Sequence, residues 1–255
     1  MSKGFVHTYE IGSFVDGPGV RFVVFLAGCP LRCQYCHNPD TWVCRGELTD
    51  SADVLARIAR SAQFLKAGEG GVTVSGGEPL AQDGFAVEIL RGSQALGLHT
   101  ALDTSGYLGA RLSDDALIAA DLVLLDIKAW NREVYRGLTG VDLAPTLSFA
   151  ARLSRLCRPM WVRFVLVPGL TDRLEDMEGL ARFVSGLSSV ERVEVVPFHQ
   201  MGRHKWEALG LEYRLEDIPE PSFGELAAAK RVFADVGLPV SESRPAPCVP
   251  PDLRE

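Results

Sequence analysis

The 255-residue sequence has no stretch approaching the ~18 apolar residues of a membrane-spanning helix. It has no excess of positive charge either. Lys and Arg number 26 against 33 Asp and Glu, a net charge of −7, and such a chain lacks the basic surface that general nucleic-acid binding needs. Its opening, "MSKGFVHTYE", lacks the charged-then-apolar layout of a secretory signal. The expectation is a cytoplasmic chain in a reducing compartment, where six cysteines need form no disulfide. No Ser/His/Asp arrangement for nucleophilic catalysis stands out. The most telling absence is a fourth ligand. "GCPLRCQYCHNPD" places Cys29, Cys33 and Cys36 in a C-x3-C-x2-C pattern with no second C-x2-C pair elsewhere. That is one thiolate short of most structural metal sites. Cys44, Cys157 and Cys248 stand alone and read as ordinary thiols.

What is present is a core-forming chain, 47% hydrophobic. Six apolar, β-branched runs recur: "FVVFLAGC" (22–29), "GVTVSGGE" (71–78), "HTALDTSG" (99–106), "LVLLDIK" (122–128), "WVRFVLVPG" (161–169) and "VERVEVVPFH" (190–199). Runs this continuous suit strands buried on both faces of a parallel sheet. Helical patterns lie between most of them. Val54, Leu55, Ile58, Ala62 and Leu65 make one apolar stripe, and Pro145 suits a first helical turn. Asp172 with Glu175, and Ser222 with Glu225, have the spacing of capping boxes. After His199 one further helix is expected, around "FGELAAAKRVFADVG". The reading is a single α/β domain over 1–240, an open six-unit barrel, with a Pro-rich tail at 241–255.

Each run ends in polar or glycine-rich residues, and parallel barrels place such ends on the active-site face. Three short-spaced thiolates there suit zinc, with His37 as fourth ligand, or an iron–sulfur cluster with one open iron. A catalytic metal needs an open position, which a substrate would fill. Gly76 and Gly77 would let backbone approach a ligand closely, or simply make a tight strand-to-loop turn. Asp126 and Lys128 share a strand face and suit either the two charged ends of an amino acid or a plain ion pair. Arg163, inside an apolar strand, needs an anionic partner, and a carboxylate at the barrel mouth would supply one. His199 ends the last strand, where a structural role is equally common. Asp103 and Thr104 offer oxygens to a small cation or to a helix cap, and spacing favours the cap.

"GCPLRCQYCHNP", "SGGEPL", "DTSG", "DIK" and "PFHQMGRHKWEALG", in this order, resemble the radical S-adenosylmethionine activases of glycyl-radical enzymes. "VDGPGVR" and "HKWEALG" resemble the type whose partner is pyruvate formate-lyase. The resemblance runs from about Ser13 to Tyr213. It implies a partial (β/α)6 barrel, a [4Fe–4S] cluster on Cys29, Cys33 and Cys36, and S-adenosylmethionine chelated to the open iron. It places Tyr35, Cys36, His37, Gly77, Glu78, Asp126, Ile127, Lys128, Arg163 and His199 around that cofactor. Asp103 and Thr104 become a monovalent-cation site for Na+ or K+, which reverses the cap reading, and Asp16 meets the partner's glycine loop. Flavodoxin or ferredoxin is the implied electron donor, and a monomer is expected. Only Cys44 lies between the cluster loop and the GGE strand, so no cysteine-rich ferredoxin-like insert can form there. Two other readings stand beside this one. The first is an activase for another glycyl-radical enzyme, such as a glycerol dehydratase or anaerobic ribonucleotide reductase. The second is a zinc-stabilised module without chemistry.

Overall fold

The computed structural model describes residues 2–240; the tail at 241–255, with Cys248, lies outside the described residues. Eight strands form one sheet: β1 (Lys3–Ser13), β2 (Arg21–Leu26), β3 (Glu47–Asp50), β4 (Gly71–Gly76), β5 (His99–Thr104), β6 (Leu122–Asp126), β7 (Met160–Leu166) and β8 (Val190–Pro197). Their order is β3-β1-β2-β4-β5-β6-β7-β8. The six expected runs supply β2 and β4 to β8, all parallel. The sheet is linear in order, with β3 and β8 at its edges, so the barrel is open.

Two strands were missing from the sequence reading. β1 pairs antiparallel with β2 and with the short β3. Much of β1 is exposed or half-exposed, as in "HTYEI", so it carries none of the continuous apolar character of a strand buried on both faces.

The helices are α1 (Ser51–Ala67), α2 (Asp83–Ala95), α3 (Asp114–Leu117), α4 (Arg132–Thr139), α5 (Ala144–Arg155), α6 (Leu174–Ser185), α7 (Arg203–Ala208) and α8 (Phe223–Ala234). The α1 stripe is as expected: Val54, Ile58 and Leu65 are fully buried. Pro145 sits in the first turn of α5. Ser222 and Glu225 make both bonds of a capping box at α8. The box expected at Asp172 does not form. Leu170 and Thr171 still bond back to the Val167 carbonyl in the turn leaving β7, so α6 starts only at Leu174, after Arg173. Glu175 pairs with Arg173 instead, at 3.3 Å. The short α7 was also missing from the sequence reading.

Alternation along the strands gives the sheet two unlike faces. Val72, Val74, Leu102, Val123, Leu125, Val162, Phe164, Val193 and Val195 are buried in the main core. Each such side chain contributes about 1.5–3 kcal/mol by leaving water. On the opposite face Ala101, Leu122, Leu124 and Trp161 make a small separate cluster. Further along the same strands, that face carries Ser75, Asp103, Asp126, Arg163 and Glu194. The barrel interior is therefore apolar in its middle layer and charged toward the carboxyl ends, while at the strand starts it holds the buried Arg21, which donates to Thr73 Oγ1 at 2.9 Å.

Helix α8 packs on α6 and β8, so its capping box should matter. Ser222→Ala is expected to cost about 1 kcal/mol, read as a lower urea midpoint at unchanged slope.

Candidate metal and cofactor site

The cysteine loop leaves β2 through Gly28, whose φ of +94° favours glycine. Two backbone bonds close its base: Gly28 N–H donates to Thr41 O at 2.7 Å and Cys29 N–H to Trp42 O at 3.1 Å. Arg32 and Gln34 N–H groups donate to the Thr139 and Leu138 carbonyls at the end of α4, at 2.7 and 3.0 Å. Leu31 and Tyr35 are buried and anchor the loop; Cys33 is buried between them, and Cys29 and Cys36 are partly buried. Burial pushes the Cys29 and Cys33 thiols up to about 12 and raises Cys36 too. Thiols held this way ionise only beside a strong positive centre, which is what iron supplies. Among the described residues, no three His, Cys, Asp or Glu side chains converge as ligands of a single metal ion do. Three thiols without a fourth fit a cluster that leaves one iron open. Cys44, though isolated in sequence, folds back so that its Sγ would lie 3.5 Å from a Cβ at Gly28.

Beside this loop the β4 glycines serve the protein itself. A Cβ at Gly76 would sit 2.2 Å from Leu26 O, and one at Gly77 2.6 Å from Gly28 O. The close approach expected toward a ligand is thus first an approach to β2 and the cysteine loop. Gly77 N–H already donates to Leu26 O at 2.9 Å, leaving its carbonyl to present. Glu78 is 1% exposed. Its carboxylate accepts from Leu80 N–H at 3.1 Å, Thr104 Oγ1 at 2.6 Å, Ser105 N–H at 3.0 Å and Ser105 Oγ at 2.5 Å. That side chain ties the β4 loop to the β5 loop, with its lone pairs committed to those donors.

Asp126 and Lys128 meet as an ion pair at 2.9 Å. Lys128 Nζ also lies 5.8 Å over the Tyr35 ring. Burial opposes the Lys128 cation, but Asp126, with Tyr35 and Cys33, outweighs it and raises the pKa. Ile127 is fully buried in the main core, and its N–H donates to Arg163 O at 3.0 Å, so its side chain is turned away from the mouth.

Arg163 finds the expected carboxylates at the mouth, and both belong to the protein. Nε donates to Glu194 at 2.9 Å and Nη1 lies 3.5 Å from Asp103. Burial works against the cation, yet Asp103 and Glu194 prevail and raise its pKa. For Asp103, burial lifts the carboxyl to about 7 against the pull of Arg163. Ser75 Oγ and Arg163 both address Asp103 Oδ2, which leaves Oδ1 toward any cation. Thr104 Oγ1 donates to Glu78 and accepts from Gly106 N–H at 3.0 Å, a local turn cap.

His37 and His199 come together, ring centroids 4.0 Å apart. Desolvation, and then the neighbouring ring, lower the His37 pKa, and desolvation lowers that of His199. Two buried polar atoms, Tyr35 Oη and His199 Nδ1, have no protein partner among the described residues. Both flank the loop, as polar atoms awaiting a ligand would. Asp16 is held by Ser13 Oγ, while its carbonyl accepts from Thr73 Oγ1 at 2.6 Å. The neighbouring Val15 carbonyl accepts from Arg163 Nη2 at 2.6 Å, so the Asp16 turn reaches the mouth. A cavity of about 490 Å³ at Asp83, Arg91 and Arg111 contains none of these residues.

A radical SAM superfamily model matches residues 23–184. The pyruvate formate-lyase-activating enzyme of Listeria monocytogenes is 42% identical over 237 residues, covering 90% of this chain and 96% of its own. The pyruvate formate-lyase 1-activating enzyme of Escherichia coli K12 is 38% identical, covering 92% and 96%. The chain belongs to this activating-enzyme family of the radical SAM superfamily. Solved structures agree in fold. A domain of a pyruvate-formate lyase-activating enzyme from Bacteroides vulgatus has a TM-score of 0.57 at 24% identity, covering 68% of this chain and 98% of its own. A radical SAM methyltransferase from Sphaerobacter thermophilus has a TM-score of 0.62 at 16% identity, covering 91% and 67%. The cofactors of the family are a [4Fe–4S] cluster and S-adenosylmethionine.

The sequence reading gave Ser75, Glu194 and Trp206 no role, because their roles need the third dimension. Ser75 and Trp206 had a signal in the "SGGEPL" and "HKWEALG" stretches. Removing the Glu78 carboxylate strands at least two buried backbone donors, each costing about 1–3 kcal/mol. Glu78→Ala should therefore lower unfolding free energy by about 3 kcal/mol. A loss under about 0.5 kcal/mol would show that the β4–β5 tie is unimportant.

Proposed function

We propose that the chain activates pyruvate formate-lyase by removing a hydrogen atom from one backbone glycine of that enzyme, with residues 1–240 acting as one unit. The observation that carries this reading is the three-thiol loop at the carboxyl ends of the parallel strands, beside Asp126–Lys128 and the His37–His199 pair, in a chain matched by the activating enzymes over nearly its whole length. When bound at Cys29, Cys33 and Cys36, the cluster supplies an electron that cleaves S-adenosylmethionine to methionine and a 5′-deoxyadenosyl radical.

The chain's own residues bind, orient and exclude. Lys128 offers its ammonium to the methionyl carboxylate, and Asp126 together with the Gly77 carbonyl faces the methionyl ammonium. Arg163 sets the charge of the inner wall, with Asp103 and Thr104 positioned for a monovalent cation. Tyr35, His37 and His199 border the adenosyl end, with the Tyr35 hydroxyl and His199 Nδ1 free to bond it. Alignment of the reactive carbon with the incoming glycine is the protein's main contribution. Asp16, on a turn that touches Arg163 through Val15, receives the partner's backbone. Flavodoxin or ferredoxin as donor, a monomeric state and a cytoplasmic location complete the reading; no helix among the described residues is long and apolar enough to cross a membrane.

The test is anaerobic reconstitution with iron and sulfide, then incubation with reductant, S-adenosylmethionine and pyruvate formate-lyase. A glycyl-radical EPR signal on the partner is expected; 5′-deoxyadenosine without that signal would refute the partner. Alanine at Cys29, Cys33 or Cys36 should each abolish cluster iron, whereas Cys44→Ala and Cys157→Ala retain it. Loss at Cys44 as complete as at Cys33 would mean a fourth protein ligand. Asp126→Ala and Lys128→Ala should keep iron yet weaken cofactor binding roughly ten- to hundred-fold, since charge-assisted hydrogen bonds contribute about 1.5–3 kcal/mol each; anaerobic calorimetry reads this directly.

Asp16→Asn should leave reductive cleavage intact and slow radical transfer to the partner. If the EPR signal falls only in step with 5′-deoxyadenosine, Asp16 is a turn residue.

A further inference from the structure

The superfamily match ends at residue 184, yet the chain beyond it returns to the cysteine loop. Four residues between 199 and 206 contact residues 36–42. The His199 ring lies 4.0 Å from that of His37. A Cβ at Gly202 would sit 2.7 Å from His37 Cα, so glycine is what lets the segment pass this closely. Lys205 Nζ donates to Asn38 Oδ1 at 2.7 Å and lies 3.4 Å from Asp40. Trp206 Nε1 donates to the Cys36 carbonyl at 2.8 Å. The Trp206 ring is buried, edge-on to Trp42 at 5.1 Å and 5.4 Å from Tyr213.

We propose that Trp206 is a positioning residue for Cys36, and that α7 clamps the second half of the cysteine loop. The first half has its own support, the Arg32 and Gln34 bonds to α4. From Cys36 to Trp42 the loop otherwise has its local turns, the two bonds at its base, the His7–Asp40 pair at 2.9 Å and Arg32 over the Trp42 ring, none of which bonds the Cys36 carbonyl. The six-residue α7 is too short to be stable alone, so clamp and loop hold each other. Packing against Trp42 and Tyr213 needs only an aromatic ring. The bond to Cys36 needs the indole N–H, and that difference makes the role testable. The inference rests on Cys36 being a cluster ligand.

The experiment follows amide hydrogen exchange in the full metal-free chain and in the iron-reconstituted chain, comparing wild type with Trp206→Phe. Trp130→Phe, whose ring packs on Phe183, serves as control. Trp206→Phe should exchange about fivefold faster at the Cys36, Thr41 and Trp42 amides, the factor expected for one lost net hydrogen bond. Sheet amides should be unchanged, and the reconstituted variant should release iron to a chelator faster by a similar factor. Unchanged exchange at those three amides overturns the clamp, as does equal acceleration throughout the sheet, which marks a general packing residue. Faster loop exchange with unchanged iron release overturns the link to the ligand. A wild-type chain that takes up no cluster sinks the cluster reading, while exchange in the metal-free chain still decides the clamp.

Discussion

A buried guanidinium on the inner face of the sheet sets the terms for the rest of the mouth. Taking Arg163 out of water costs several kcal/mol unless anions surround it. Other strands supply them: Glu194 opposite it on β8, Asp126 opposite it on β6, and Asp103 one strand further on β5. The layer below these charges is filled by Ala101, Leu122, Leu124 and Trp161, and below that a second buried guanidinium, Arg21, is already bonded to Thr73 and to the Val72 and His99 carbonyls. The charged groups that a ligand could still meet therefore lie at the carboxyl ends of the strands. The cysteine loop starts from that same end, at the close of β2.

The open sheet has a consequence for the partner. A small substrate can be swallowed by a closed barrel, but a glycine within a folded polypeptide must be presented on a loop. With β3 and β8 at the two ends of the strand order the barrel does not close, and the turn bearing Asp16 is tied to the wall by the Val15 carbonyl. Phe14 and Val15 are 74% and 77% exposed there. Exposed apolar residues beside a polar mouth suit contact with another protein better than contact with water.

The parallel half of the fold was legible because strands buried on both faces leave uninterrupted apolar runs, and the cysteine spacing was legible because ligand geometry is local. What escaped was whatever depends on one face only or on distant contacts. β1 alternates and stays half-exposed, so its pattern resembles a loop. The Asp172 box failed since the turn after β7 claimed those residues first. Arg163 was rightly seen to need an anion, but no spacing could tell that Glu194, 31 residues on, would lie directly across the ladder.

The family signatures also divide differently in space than in sequence. Glu78 and the paired glycines read as cofactor residues from their position in a motif, yet they spend their chemistry on β2, the β5 loop and the cysteine loop. A barrel mouth has a physical reason for this. It cannot be held together by a dry core, since it must remain open to a charged ligand. Satisfied buried carboxylates and close glycine contacts do that work instead, because an unsatisfied polar group costs far more than a paired one. Residues that build such a mouth are as indispensable to the reaction as those that touch the cofactor. Activity loss alone cannot separate the two roles. Stability and metal retention, measured beside activity, can.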